Sequence, residues 1–252
     1  MPGFAGRRVL VTGSSRGIGR AAAAAFLAAG ARVAVNGRSA ASTASGIDAL
    51  GGDGLVAAPG DVATVAGCDA IVAAAVDGLG GLDILVNSAG ICEGGPIEEQ
   101  GEDVWDATID VNLKGTYFCI RAALAHLRAS RGNVVNVASD AGLLGLPHLA
   151  VYCASKGGVV LLTRALSGEL APDVRVNCVC PGYVDTDMVR RDWIEKTRDP
   201  ARTMAKVEAY APMRRMAEPA EIAAAILYLA SDEAGFTTGT ALSVDGGRTA
   251  CP

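Results

Sequence analysis

The chain has 252 residues, of which 50% are hydrophobic and 19% charged, with a formal net charge of −5. A chain of this length and composition buries enough apolar surface to fold without disulfide or metal staples, which excludes wholesale disorder. Its acidic balance offers no basic face to a phosphate backbone, which argues against nucleic acid as a partner.

Taken in chain order, β-branched runs at residues 7–12, 32–36, 54–58, 82–87, 133–138, 174–179 and 241–244 read as strands. The stretches between them, 17–29, 40–50, 65–79, 102–130, 152–170 and 219–230, read as helices. Ser39, Ser42, Thr43, Ser45 and Gly46 give the 40–50 stretch the poorest helix propensity of these. Strands separated by helix-length segments predict right-handed βαβ units. The expected fold is α/β: one doubly wound domain over residues 1–252, with a seven-stranded parallel sheet covered by helices on both faces. Aromatic residues are 4% against 32 glycines, so the core must come from Ala, Val, Leu and Ile packed close to backbone. Residues 185–219 are charged, rich in Met and lack a strand pattern, which predicts a substrate lid or binding loop.

The longest apolar run, residues 21–31, is about half of the roughly 20 residues a membrane span needs, and Gly30 interrupts it. Arg7 and Arg8 precede only three apolar residues before Thr12, too few for a signal peptide. No membrane partner and a cytoplasmic location are expected. The seven cysteines are odd in number and form no C-x-x-C pair, so neither a disulfide framework nor a metal site is predicted. Cys178 and Cys180 share one strand face and read as small buried hydrophobes.

Immediately after the first strand stands Thr12-Gly13-Ser14-Ser15-Arg16-Gly17-Ile18-Gly19. Glycines there permit a tight turn and close approach of a pyrophosphate, and the following helix N-terminus presents unpaired N–H groups to it. Further on, Tyr152 and Lys156 lie four residues apart on a predicted helix and share one face. A lysine ammonium beside a phenol favours the phenolate, so Tyr152 becomes an acid/base candidate with a lowered pKa. Ser139 ends the fifth strand, at the edge where open α/β sheets bind ligands.

With its G-x-x-x-G-x-G spacing, the loop resembles the cofactor loop of the short-chain dehydrogenase/reductase family, particularly members like 3-oxoacyl carrier-protein reductases. Further matches follow in the family's order: Asp61-Val62, Asn87-Ser88-Ala89-Gly90, Asn112, Ser139, Tyr152-x-x-x-Lys156, Pro181-Gly182, Val184 and Thr186. The resemblance covers nearly the whole chain. It departs mildly at Ser88, where the family usually has a second Asn.

The resemblance implies a nicotinamide-dependent oxidoreductase that moves a hydride between cofactor and a ketone or secondary alcohol. Asn112, Ser139, Tyr152 and Lys156 would be its catalytic residues. Asp61 would bond the adenine amine, although alone it reads as a helix cap. Asn87, Ala89 and Gly90 would carry the adenine-ribose side, Lys156 the nicotinamide ribose, and Pro181, Gly182, Val184 and Thr186 the carboxamide and pyrophosphate. Asn112 would disturb a helix and hold a water that leads protons to Lys156.

Cofactor choice turns on the end of the second strand, Asn36-Gly37-Arg38-Ser39, which lacks the acid that would bond a ribose 2′-OH. Arg38 can pair with a 2′-phosphate, and Arg16 matches a second basic position of NADP-preferring family members. NADP is expected over NAD. A polyol or sugar dehydrogenase using NAD, or a catalytically silent dinucleotide-binding regulator, remain as alternatives.

Substrate walls are expected at Ile91-Cys92-Glu93, residues 140–146 and residues 187–216, with Met188, Val189, Trp193, Met204, Tyr210 and Met213 as an adaptable apolar lining. Candidate substrates by resemblance are 3-oxoacyl thioesters, cyclic or aromatic ketones, and sugars or polyols. Of the two histidines, His126 and His148, the latter is expected in a partly exposed loop. By resemblance the chain would assemble as a homodimer or homotetramer through its long helices and the Asp245-Gly246-Gly247 end.

Overall fold

A computed structural model describes residues 3–251. Its strands are β1 (Arg8–Thr12), β2 (Arg32–Val35), β3 (Leu55–Ala57), β4 (Ile84–Asn87), β5 (Asn133–Val137), β6 (Arg175–Pro181) and β7 (Ala241–Val244). They form one sheet in the order β3-β2-β1-β4-β5-β6-β7, and every neighbouring pair is parallel. The principal helices are α1 (Gly17–Ala28), α2 (Ala40–Leu50), α3 (Val65–Leu79), α4 (Glu102–Ile109), α5 (Gly115–Ser130), α6 (Ala150–Leu170), α7 (Asp187–Arg190), α8 (Pro200–Glu208) and α9 (Pro219–Ala230).

Strand residues alternate between two apolar layers. Val9 and Val11 of β1 pack with Phe26 of α1 and Ile226 of α9, while Leu10 faces Ile71 of α3 and Ile120 of α5. All three β1 residues are fully buried, as expected for a parallel strand covered on both sides. The order of the sheet reverses between β1 and β4. Loops leaving the carboxyl ends of those two strands diverge there and open the crevice in which such sheets bind ligands.

Local signals account for most helix ends. α2 forms despite its poor propensity because Ser39 and Ser42 bond each other's backbone N–H reciprocally, at 3.2 and 3.0 Å. α8 starts on Asp199, whose carboxylate accepts from the Arg202 N–H at 3.0 Å, with Pro200 in its first turn.

Three expectations change. The single helix at 102–130 is divided by a π-helical turn, Asp110–Lys114, between α4 and α5. That turn carries Asn112, where a disturbance is implied by the family resemblance. Helix α6 begins two residues before Tyr152, at Ala150. The 185–219 segment holds the helices α7 and α8 between turns, and its base is closed by a parallel bridge between Val184 and Ala217. It has its own small core of Ile194, Val207 and Met216. Among the described residues no helix is long and apolar enough to cross a membrane.

Candidate active site

The loop between β1 and α1 is shaped by two glycines in the left-handed region, Gly13 at φ +63° and Gly17 at φ +57°. A Cβ on Gly13 would lie 2.7 Å from the Ala89 Cα, and one on Gly19 would lie 2.5 Å from the Gly13 carbonyl oxygen. Backbone therefore packs on backbone here. The buried Asn36 side chain fixes the arrangement, although no motif singles it out in the sequence. Its Oδ1 accepts from the Gly13 N–H at 3.0 Å, and its amide donates to the Ala58 and Gly60 carbonyls at 2.9 and 3.2 Å. Thr12 joins β1 to the β4 end by accepting from the Ser88 and Ala89 N–H groups at 3.1 and 3.2 Å.

Helix α1 starts after Arg16 with no side-chain cap and no acidic residue in its first turn. The N–H groups around Ile18 and Gly19 are thus available to an anion. Opposite them stands Thr186, whose Cγ2 would be 3.5 Å from a Cβ on Gly17. Ser15 lies against Gly46 of α2, and a Cβ on Gly46 would come within 2.8 Å of its Cα. At the β4 end the Asn87 amide donates to Asn136 Oδ1 at 2.9 Å, while its own Oδ1 is buried without a partner. A glycine-lined cradle facing an uncapped helix end fits a dinucleotide pyrophosphate.

The expected adenine and 2′-phosphate residues surround this cradle. Arg16 is 52% exposed and pairs with Asp192 at 3.4 Å, whereas Arg38 is exposed directly after the buried Gly37. Asp61 does not cap α3. It accepts from the Ala63 N–H at 3.0 Å within the preceding turn, and Thr64 caps the helix instead. Val62 is buried beside it. Pro181 ends β6, and the Gly182 N–H just after it donates to the Val244 carbonyl at 3.3 Å. Val184 is buried.

The proton-transfer candidates converge at the other end of the crevice. Lys156 is 5% exposed, its Nζ lies 5.8 Å from the Tyr152 ring centre, and it donates to the Val137 carbonyl at 2.8 Å. A Cβ on Gly90 would be 3.4 Å from both Lys156 Nζ and Asn112 Oδ1, so this glycine joins the cradle to the proton-transfer end. The Asn112 amide donates to the Ile91 carbonyl at 2.9 Å and to Ser155 Oγ at 3.0 Å, while its Oδ1 accepts from the Ile91 N–H at 2.9 Å. Its direct bonds thus hold the Gly90-Ile91 wall. Ser139, 8% exposed, opens the turn after β5.

Burial dominates the electrostatics of the Tyr152/Lys156 pair. Burial lowers the Lys156 ammonium to about 8, with Cys92, Cys180 and Cys178 opposing in part. Burial likewise raises the Tyr152 phenol well above its ordinary value, the neighbouring Cys92 adds to this, and the Ser139 hydroxyl opposes. The protein's own groups thus raise the Tyr152 phenol, and the lowering expected at Tyr152 is one that Lys156 shares with the positive nicotinamide of an oxidised cofactor. Desolvation is the largest cause at Tyr152, and the Lys156 ammonium is bonded to the Val137 carbonyl.

The residues expected to line the substrate site occupy different environments. Val189 and Met204 are half-buried and pack against the core of the 185–219 segment, and Met213 is 61% exposed. Trp193 stacks on Tyr183 with ring centres 5.4 Å apart, and Tyr183 meets Tyr210 edge-on at 4.7 Å. A cavity of about 440 Å³ is lined by Tyr183, Tyr210, Met213 and Gly246, but by none of Asn112, Ser139, Tyr152 or Lys156. His126 and His148 are exposed, and all seven cysteines are free. Among the described residues no cluster of His, Cys, Asp or Glu has the make-up of a metal site.

A family profile described as enoyl-(acyl carrier protein) reductase matches residues 13–249. The chain is 41% identical to an uncharacterized oxidoreductase of Thermotoga maritima, over 98% of this chain and 99% of that protein. It is 40% identical to 3beta-hydroxysteroid dehydrogenase 1 of Eggerthella lenta, over 98% of this chain and 95% of the relative. A solved structure from Sinorhizobium meliloti 1021, assigned as a short-chain alcohol dehydrogenase, superposes with a TM-score of 0.91 at 38% identity and covers 98% of each chain. The parallel sheet, the glycine cradle and these relatives agree: the chain belongs to the short-chain dehydrogenase/reductase family, nicotinamide-dependent oxidoreductases acting on CH–OH groups.

Proposed function

We propose that the chain is an NADP-dependent oxidoreductase of ketones and secondary alcohols in which Tyr152 is the acid/base. The observation that carries this reading is the convergence of Lys156 and Asn112 on Gly90, next to the glycine cradle, with the Tyr152 ring centre 5.8 Å from Lys156 Nζ. The α1 N–H groups with Gly13, Ser15, Gly17, Ile18 and Gly19 would hold the pyrophosphate, and Asn87, Ala89 and Gly90 the adenine-ribose side. Asp61 and Val62 would flank the adenine, while Pro181, Gly182, Val184 and Thr186 would clamp the nicotinamide half.

When bound, the nicotinamide supplies or accepts the hydride, and its positive oxidised form favours the Tyr152 phenolate. In reduction, Tyr152 Oη donates a proton to the substrate oxygen and Ser139 Oγ hydrogen-bonds that oxygen. Lys156 reprotonates the phenolate, and Asn112 holds the wall that keeps Lys156 in place. In oxidation the phenolate takes the proton of the alcohol. Because a buried phenol is raised by its surroundings, the reaction depends on the buried Lys156 remaining charged near neutral pH.

Arg38 is the principal selector for the 2′-phosphate, since Arg16 shares its charge with Asp192. The exposed Tyr117 of α5 and Leu161 of α6 support assembly as a homodimer or homotetramer, which light scattering would check. Tyr152→Phe should lower kcat by roughly 10²- to 10⁴-fold while NADPH binding, followed by fluorescence, stays unchanged. Near-normal turnover in this variant overturns the acid/base assignment. Arg38→Ala should raise the KM for NADPH about tenfold or more and leave NADH use unchanged. A wild type that prefers NADH overturns the cofactor assignment.

A further inference from the structure

We propose that Asp140 and Tyr210 are a positioning pair: Tyr210, from the 185–219 segment, bonds the carboxylate that holds the Ser139 hydroxyl, so closure of that segment sets the direction of the serine proton. The proposal rests on the reading of Ser139 as the ligand of the substrate oxygen.

Asp140 follows Ser139 and is 5% exposed. Its Oδ1 accepts from Ser139 Oγ–H at 3.0 Å and from the Ala141 N–H at 2.8 Å, while Oδ2 accepts from Tyr210 Oη–H at 2.9 Å. A buried carboxylate needs such donors to offset its desolvation. Burial raises Asp140, with the bonds from Tyr210, Ser139 and Ala141 opposing. Tyr210 lies just beyond the end of α8 and 70 residues from Asp140 in sequence. Its ring is held between the edge contact with Tyr183 at 4.7 Å and the Arg248 guanidinium, 4.7 Å from its centre. The hydroxyl is thus aimed at Asp140 by a ring clamped on two sides.

A serine hydroxyl has one proton to donate. While that proton points at Asp140, Ser139 can only accept at the substrate oxygen. To donate to a carbonyl or alkoxide it must turn away from the carboxylate. Tyr210 contributes a competing donor to the same carboxylate and weakens its hold on the serine. Without the Tyr210 hydroxyl, Asp140 keeps the serine proton and the 185–219 segment loses its tie to the catalytic loop.

Tyr210→Phe keeps the ring contacts and removes only the hydroxyl, and Asp140→Asn removes the charge. Amide exchange over residues 200–211 needs no substrate. It should speed up about tenfold in Tyr210→Phe, which loses the bond, less in Asp140→Asn, where only the charge that strengthens it is lost, and no further in the double variant than in Tyr210→Phe. With NADPH and cyclohexanone or ethyl acetoacetate as ketone probes, Tyr210→Phe should lower kcat/KM about tenfold in the wild-type background and less than twofold in Asp140→Asn. NADPH affinity should stay constant throughout. Exchange in Tyr210→Phe equal to wild type, or independent effects that multiply in the double variant, overturn the pair. Ser139→Ala separates the two levels. Wild-type turnover in it overturns the serine reading and the pair with it, whereas impaired turnover beside independent pair effects overturns the pair alone.

Discussion

Around the glycine loop the crevice is made of backbone, whereas across from it the 185–219 segment is made of side chains. Gly13 packs on Ala89, Gly19 on the Gly13 carbonyl and Gly46 on Ser15, so none of these contacts leaves room for a Cβ. In the segment, by contrast, Ile194, Val207 and Met216 form a separate core, and Trp193, Tyr183 and Tyr210 pack ring to ring. A wall of backbone presents the same N–H groups whatever its side chains, which suits a constant ligand. A wall of side chains can change with few consequences for the sheet, which suits a substrate that differs among relatives.

The largest effect that tests this contrast is expected at Gly13. Gly13→Ala meets both a left-handed φ and a contact of 2.7 Å with Ala89, so it should weaken NADPH binding by at least about 100-fold and lower the melting temperature. Gly51 has nearly the same φ, +62°, but a Cβ there would have nothing within 4 Å. Gly51→Ala should cost about 1–2 kcal/mol of stability and leave NADPH affinity unchanged. Equal affinities in the two variants would break the claim that close backbone packing, beyond glycine's conformation, builds the cradle.

The same contrast explains what was legible in the sequence. The glycine spacing and the Tyr152/Lys156 pair are local patterns, readable because the partners lie within one turn or one loop. The alternation of strands and helices was enough to anticipate the parallel sheet, because each βαβ unit is itself a short-range pattern. Asn36 acts on Gly13 from 23 residues away, Asn112 on Ile91 from 21, and Tyr210 on Asp140 from 70. No periodicity joins such positions, so these links emerge only when the sheet edge brings them together. The packing of Val189 and Met204 against the segment's core was hidden for a related reason: in a short helix, an apolar residue touching its own core and one facing a ligand have the same pattern.

Lys156 stands at the seam between the two walls and sharpens the comparison through pH. Burial holds its folded pKa at about 8, below the 10.5 of an unfolded lysine. Between these values the unfolded chain binds more protons than the folded one, so stability rises with pH across that window and its cost is fully present below pH 8. At 1.36 kcal/mol per pKa unit, wild type should gain on Lys156→Met by about 3 kcal/mol between pH 7.5 and 10.5 in urea unfolding. Parallel stability curves for the two proteins would mean that the ammonium does not pay this desolvation cost.

The smallest effect is expected at Trp193, where the side-chain wall meets the crevice. The ring is 41% exposed and stacks on Tyr183 at an interplanar angle of 18°, so its contacts lie outside the buried core of the segment. An aromatic pair of this kind contributes about 0.5–1.5 kcal/mol. Trp193→Ala should therefore raise the KM for a ketone probe by at most about tenfold, leaving NADPH affinity and urea midpoint near wild type. Ile194, its neighbour, is 3% exposed within that core, and Ile194→Ala should cost about 2–5 kcal/mol and disturb kcat as well as KM. If Trp193→Ala shifted the urea midpoint as far as Ile194→Ala, the segment would be one cooperative block. Its outer ring would then hold the fold, and a change of substrate could not be made there without a loss of stability.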